Sequence, residues 1–267
     1  MIIDTHIHLD DMRYADDLDE VLFRAKKEGV CRYIIPGADP KTLDRAVMLS
    51  EQYKEIYFAV GVHPYDTQSF DALEFSKYVH HPKCLAIGEC GLDYYRLEGS
   101  DENKRVEKSK QARVFRAQIE LAKYYKKPLI VHIRDASSDA KDILIESDAQ
   151  EVGGVLHCYN ADEQLLCLAD KNFYFGIGGV LTFKNAKKLV DVLPKIPKER
   201  LIIETDGPYL TPHPHRGKRN EPAYCALVVE KMSELLNSSK NTLENITTKN
   251  AEALFNLEAY VLDENTF

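Results

Sequence analysis

The sequence predicts an α/β fold, a (β/α)8 TIM barrel, on three observations. Eight short apolar runs rich in β-branched residues recur along its 267 residues. Longer segments with helical spacing of apolar residues lie between them. Side chains that can bind a metal follow most of the runs, and a barrel brings all eight strand ends into one ring. A doubly wound open sheet is the alternative, but it would not explain such residues at so many strand ends.

The predicted strands are the apolar runs themselves. In chain order they are Met1–His6, Arg32–Pro36, Ile56–Val62, Cys84–Gly88, Pro128–His132, Gly154–His157, Phe173–Ile177 and Leu201–Glu204. No low-complexity tract and no linker rich in Pro, Gly or Ser separates them. A single domain over residues 1–267 is therefore expected.

The predicted helices follow from apolar spacing and from residues that favour helix starts. Apolar residues recur at i, i+3, i+4 and i+7 within 18–25, and Val114–Tyr125 shows the same spacing in a longer segment. Asp39-Pro40 and Ser137-Ser138-Asp139 are typical of helix starts. Asn250 is expected to cap the last helix.

The net charge of −8 bears on possible partners. It argues against an electrostatic coat for duplex DNA, which needs a basic face. Nucleic acid bound locally is still compatible, because bound divalent cations reverse the sign of a site built from carboxylates.

The remaining composition bears on location and assembly. The six cysteines are scattered without a CxxC pair, so reduced thiols are expected. No signal-peptide pattern and no stretch of transmembrane length is visible. We therefore expect a cytoplasmic monomer without a membrane partner.

The most informative pair of residues is His6 and His8. A strand places residues i and i+2 on one face, so two imidazoles at this spacing form half of a metal site. Further metal-capable side chains end later runs, and Glu89, His132, His157 and Asp206 are among them.

The chemistry follows from these ligand types. Imidazoles with carboxylates suit Zn²⁺, Mn²⁺ or similar ions, and a carboxylate can bridge two of them. Glu89, in the middle of the ring, is the natural bridge. A water shared by two cations becomes a hydroxide nucleophile near neutral pH, and Asp206 can both bind one ion and accept a proton. His63 and Arg134 carry donors that suit a phosphate.

Several of these residues also have a purely structural interpretation. His63 could cap a turn before Pro64, and Arg134 could form an ion pair with Asp93 or Asp135. Glu204 could bind metal or water, or accept hydrogen bonds from the backbone.

A basic segment follows the last predicted strand, where barrel enzymes commonly bind phosphate. Its cations are Arg216, Lys218 and Arg219. They could contact a substrate backbone, or they could brace the loop against nearby carboxylates, and we expect a mixture of the two.

The sequence resembles the TatD family of metal-dependent deoxyribonucleases within the amidohydrolase superfamily. The resemblance rests on D-T-H-I-H at the start, G-V-H-P at 61–64, I-G-E-C-G-L-D-Y-Y at 87–95, P-L-I-V-H-I-R-D at 128–135, L-H-C-Y at 156–159 and I-E-T-D-G-P-Y-L at 203–210. It covers residues 2 to about 257.

This resemblance implies a TIM barrel with two divalent metal ions, Mg²⁺, Mn²⁺ or Zn²⁺. One ion would be bound by His6, His8, Glu89 and Asp206, and the other by Glu89, His132 and His157. The implied activity is hydrolysis of phosphodiester bonds in DNA, often from the 3′ end of single strands. An amidohydrolase or phosphoesterase of small molecules on the same metal centre, and a binding protein without turnover, are the alternatives.

Overall fold

Eight parallel strands form a barrel in the computed structural model, which describes residues 1–257. Each strand pairs with the next one along the chain. The strands are β1 (Ile2–Asp4), β2 (Val30–Ile35), β3 (Ile56–Val60), β4 (Cys84–Asp93), β5 (Leu129–Arg134), β6 (Gly154–Leu156), β7 (Phe173–Ile177) and β8 (Leu201–Ile203). All eight predicted strands are present, and the predicted (β/α)8 barrel is confirmed.

Backbone hydrogen bonds close the barrel between its first and last strands. The Thr5 N–H donates to Ile203 O at 3.1 Å, and the Asp206 N–H donates to His6 O at 2.9 Å. The chain segments that follow β1 and β8 therefore lie side by side, which brings the predicted ligands on them together.

Eight helices pack around the strands in the described part of the chain. They are α1 (Leu18–Lys27), α2 (Leu43–Gln52), α3 (Ala72–Val79), α4 (Asp101–Tyr125), α5 (Ser137–Glu146), α6 (Lys187–Val192), α7 (Cys225–Leu236) and α8 (Lys240–Phe255). Between β6 and β7 the connection is a 3₁₀ segment, Glu163–Lys171. None of the helices in residues 1–257 has the length and apolar character needed to cross a membrane.

The helix starts that the sequence predicts are correct in two cases and wrong in one. The Asp39 carboxylate accepts from the Lys41 N–H at 2.9 Å, and α5 begins at Ser137. Asn250, however, lies inside α8, whose N-cap is Ser239. The Asn250 amide instead donates to Lys198 O and Leu201 O at 2.9 and 2.7 Å, so it ties α8 to the start of β8.

One apolar side chain from each strand joins the end of α8 in a cluster that fills the barrel interior. Its members are Ile3, Ile34, Ala59, Ala86, Ile130, Val155, Tyr174 and Ile202 from the strands, with Ala251, Leu254, Phe255 and Leu257. A larger cluster fills the space between the strands and the surrounding helices. The barrel interior is thus apolar up to the carboxyl ends of the strands, where the polar residues begin.

Two buried glutamines of α4 hold the carboxyl ends of neighbouring strands. Gln118 accepts from the Val62 N–H at 2.8 Å and donates to Val62 O at 3.1 Å. Gln111 makes the same pair of bonds with the peptide groups of Asp93, at 2.9 and 3.0 Å. Because an amide side chain offers both a donor and an acceptor, each glutamine satisfies the N–H and the C=O of one residue at the end of a strand.

We predict that Gln118→Met lowers the free energy of unfolding by about 2–4 kcal/mol, because two buried peptide groups of Val62 lose their partners while side-chain volume is nearly kept. Urea unfolding followed by circular dichroism measures this loss. Arg113→Met, at an exposed position of the same helix, is the control and is expected to change stability by less than about 0.5 kcal/mol. Equal stability of the two variants would contradict a structural role for the Gln118 amide.

Candidate metal centre

The six predicted metal ligands converge at the carboxyl end of the barrel. His6 and His8 follow β1, Glu89 lies within β4, His132 lies in β5, and His157 and Asp206 follow β6 and β8. Glu89 can reach the centre because β4 continues to Asp93, five residues beyond its predicted end at Gly88.

The two carboxylate oxygens of Glu89 face different histidines. Oε2 lies 3.4 Å from His6 Nε2 and 4.0 Å from His8 Nε2. Oε1 lies 3.0 Å from His132 Nδ1 and 3.4 Å from His157 Nε2. Glu89 is therefore placed between two sets of donor atoms, as a bridging carboxylate would be.

Asp206 completes the set that faces Glu89 Oε2. Its Oδ1 lies 3.5 Å from His8 Nε2 and 3.8 Å from His6 Nε2. These separations are long for hydrogen bonds, but ligands about 2.1 Å from one tetrahedral ion are about 3.4 Å apart. The distances fit a shared cation better than direct bonds between the side chains.

Unpaired buried nitrogens support the same interpretation. Both ring nitrogens of His6, and the Nδ1 atom of His132 that faces Glu89, are buried without a hydrogen bond of acceptable geometry. A buried polar atom without a partner is costly, so atoms of this kind indicate a missing ligand. The donor set of imidazoles and carboxylates fits Zn²⁺, Mn²⁺ or Mg²⁺.

The electrostatics of the centre favour cations. Burial raises the pKa of Glu89, but the surrounding charges and hydrogen bonds, with His157 and His6 foremost, lower it overall to well below its usual range. Burial lowers the pKa of His6, and its ring stacks on that of His157 at 3.6 Å between centroids. Burial opposes protonation of the other imidazoles, but hydrogen bonds and charges from nearby carboxylates raise the pKa of His8 and His132 to about 9 and also raise that of His157. In the metal-free centre protons therefore supply the positive charge, and a metal ion would have to displace them from these nitrogens.

Two further carboxylates contact histidines that belong to the predicted ligands. Asp93 Oδ2 lies 2.9 Å from His132 Nε2, and Glu204 Oε1 lies 3.3 Å from His157 Nδ1. From the sequence, Asp93 was expected only as a possible ion-pair partner of Arg134. The signal was present in the spacing Glu89-x-x-x-Asp93, since residues four apart on a strand point to the same face.

His63 has the structural role that the sequence allowed, and it also lies beside the candidate metal centre. Its Nδ1 accepts from the Tyr65 N–H at 3.2 Å and so caps the turn after Pro64. Its Nε2 lies 3.8 Å from Glu89 Oε1. Together with Asp93 and His132, His63 also forms a group of three side chains whose donor atoms are close enough to share a metal ion. Burial lowers the pKa of His63 to about 4, so its imidazole is neutral near pH 7.

Arg134 lies at the mouth of the barrel. Its guanidinium stacks over the exposed Tyr95 ring at 3.7 Å, and within residues 1–257 it makes no ion pair with Asp93 or Asp135. The positive charge therefore remains available to a substrate.

The cations of the basic loop are in different environments. Arg219 forms ion pairs with Asp17 and Glu221 at 2.6 and 2.9 Å. Arg216 is exposed, lies over the Phe183 ring at 3.8 Å and donates to Thr211 O, and Lys218 is exposed. Bracing explains Arg219, whereas Arg216 and Lys218 present charge to solvent.

A cavity of about 670 Å³ opens beside the metal centre. Its lining includes His132, His157 and Asp206 together with apolar side chains such as Leu189 and Leu210. A substrate in this cavity would touch the candidate ligands directly.

Comparisons with known proteins give a consistent result. A profile of the TatD family, described as TatD related DNase, matches residues 3–256. The chain is 44% identical over 261 residues to the uncharacterized metal-dependent hydrolase YabD of Bacillus subtilis, covering 96% of this chain and 100% of that protein.

A second relative and a solved structure extend the comparison. The 3′-5′ ssDNA/RNA exonuclease TatD of Salmonella typhimurium is 31% identical over 264 residues, covering 95% of this chain and 98% of that protein. The crystal structure of YJJV, a TatD homolog from Escherichia coli K12, superposes with a TM-score of 0.85 at 28% identity, covering 96% and 98% of the two chains. The profile match and the identities together show that this chain belongs to the TatD related DNase family.

Proposed function

We propose that this protein is a metal-dependent deoxyribonuclease that degrades single-stranded DNA from the 3′ end. The observation that carries the proposal is the position of Glu89, whose two carboxylate oxygens face separate groups of imidazoles. Membership in a family described as TatD related DNase supports the reaction class. The name of the relative from Salmonella typhimurium supports the single-strand substrate and the direction.

The chain's own residues would hold two divalent ions. His6, His8, Glu89 and Asp206 form one set of donors, and Glu89, His132 and His157 form the other. When bound, such ions polarise the phosphate and lower the pKa of water, which supplies a nucleophile near neutral pH. Glu89 keeps the two sets of donors at a fixed separation.

Asp206 is the proposed proton acceptor. It is the one carboxylate of the set that lines the cavity, so it can reach a water that attacks a bound phosphodiester. Burial raises the pKa of Asp206, but the hydrogen bond from His8 and the charges of nearby histidines lower it below its usual value. The carboxylate is therefore ionised at neutral pH, as a general base must be.

Substrate contacts would come from the rim of the barrel. Arg134 presents a guanidinium for a phosphate, and Tyr95 offers an exposed ring on which a base can stack. His63 is a neutral donor beside Glu89. On the opposite side, Arg216 and Lys218 face the solvent, and Arg219 holds their loop in place.

We predict that metal-stripped protein leaves 3′-labelled and 5′-labelled single-stranded DNA intact, and that Mg²⁺, Mn²⁺ or Zn²⁺ added singly restores stepwise loss from the 3′ end. Glu89→Gln removes the charge shared by the two donor sets, so it should lower the rate at least about 100-fold with every ion. Gel analysis of both labels measures rate and polarity, and single-stranded RNA is a parallel substrate.

Two results would contradict parts of this proposal. Random internal cuts would show that the protein is an endonuclease and not an exonuclease. No cleavage with any ion, in protein that still binds metal, would favour a small-molecule amidohydrolase or phosphoesterase.

We predict that Tyr95→Ala raises the KM for single-stranded DNA about 5- to 100-fold with little change in kcat, because a stacked base contributes about 1–3 kcal/mol to binding. Steady-state kinetics on a short oligonucleotide measures the change. Tyr124→Ala, at a more exposed tyrosine at the far end of α4, is the matched control and should leave KM unchanged. An unchanged KM for Tyr95→Ala would exclude base stacking at this position.

A further inference from the structure

Glu204 follows β8 and is fully buried beside the metal centre. Its Oε1 accepts from the Cys158 N–H at 2.6 Å and lies 3.3 Å from His157 Nδ1. On the other side of the same ring, His157 Nε2 lies 3.4 Å from Glu89 Oε1. Glu204 therefore contacts the ring nitrogen of His157 that faces away from the proposed metal.

The neighbouring strand leaves room for this carboxylate. Gly176 lies in β7, and a Cβ atom built there would overlap Glu204 Oε2 and lie 2.8 Å from Glu204 Cδ. At Gly178, two residues further along, a Cβ atom would come no closer than 3.4 Å to Glu204. An alanine at 176 would thus displace the Glu204 carboxylate, whereas an alanine at 178 would not.

Glu204 does not have the geometry of a metal ligand itself. Within residues 1–257 it belongs to none of the groups of donor atoms that lie close enough to share an ion. One of its oxygens is used by a backbone N–H, and the other points at Gly176. A buried carboxyl group in this place needs a different explanation from direct coordination.

We propose that Glu204, seated against Gly176, is a positioning residue that keeps the proton of His157 on Nδ1 and so leaves the Nε2 lone pair free for a metal ion. The inference rests on the proposed metal centre and deepens it. An imidazole must present an unprotonated nitrogen to a metal, and a carboxylate behind the other nitrogen fixes both the tautomer and the ring orientation. Gly176 belongs to this arrangement although it contacts no ligand.

The test is metal affinity, which does not depend on turnover. Full-length metal-stripped variants are titrated with Mn²⁺, and the electron paramagnetic resonance signal of free Mn²⁺ gives stoichiometry and affinity. Loss of a partner behind a ligating histidine typically weakens metal binding 10- to 100-fold, so Glu204→Ala should weaken one of two sites by about this factor. Glu204→Gln should lose much less of the Mn²⁺ affinity, because its amide oxygen can accept from both the Cys158 N–H and the His157 Nδ1–H.

The glycines supply the matched pair of variants. Gly176→Ala is expected to weaken the same site about 10-fold or more, and Gly178→Ala to leave Mn²⁺ affinity unchanged. In the Glu204→Ala background, where the methyl group no longer meets a carboxylate, Gly176→Ala should add less than about a twofold effect, because the two residues act through one contact. Urea unfolding of each variant checks that the barrel is intact.

The outcomes separate this inference from the proposed function. If wild-type protein binds no Mn²⁺, the metal centre itself is wrong. If wild-type protein binds Mn²⁺ but Glu204→Ala binds it equally tightly, the positioning role is overturned. Equal losses in Glu204→Gln and Glu204→Ala would also overturn it, and this comparison holds even if Gly176→Ala fails to fold.

Discussion

A carboxylate buried among imidazoles, Glu89, is the constraint on which the rest of the structure depends. An ionised carboxylate in the mouth of a barrel is unstable by several kcal/mol unless cations surround it. Five imidazoles from four strand ends lie within 4.0 Å of its oxygens, those of His6, His8, His63, His132 and His157. Without bound metal, this charge can be balanced only by protons on the histidines, so protons and metal ions compete for the same nitrogens.

Holding five imidazoles around one carboxylate requires support outside the ligands. At the carboxyl ends of two strands, side chains of α4 supply hydrogen bonds to the backbone. Gln118 and Gln111 hold the peptide groups next to His63 and at Asp93. Asp93 in turn contacts His132. Helix α4 is thus linked to the orientation of His132 through Gln111 and Asp93.

The order of the strands follows from local pattern, which is why the sequence predicts it well, and the six predicted ligands stand out in the sequence for the same reason. Apolar runs are continuous in a buried parallel strand, and metal-capable residues at their ends stand out against them. The extension of β4 beyond Gly88 was not predicted, because glycines flank Glu89 and interrupt the apolar run, whereas the pairing of Gly91 with His132 continues the strand. Asn250 was misplaced because it resembles an N-cap in sequence, while its amide serves a contact with residues about 50 positions away.

Contacts that depend on two distant segments could not be predicted in this way. Nothing in the local sequence of Gly176 indicates that it faces a carboxylate from β8, because that depends on the register of β7 with β8. The same holds for Arg219, whose neighbours in sequence suggest a basic patch, whereas its partner Asp17 precedes α1. A net charge of −8 therefore does not describe the mouth of the barrel. With Arg219 neutralised, the attraction of a polyanionic substrate to this face would depend on Arg134, Arg216, Lys218 and the ions that the candidate centre would hold. On the proposed function, substrate binding and metal loading are then coupled, because bound cations reverse the sign of the acidic site that a phosphate must approach.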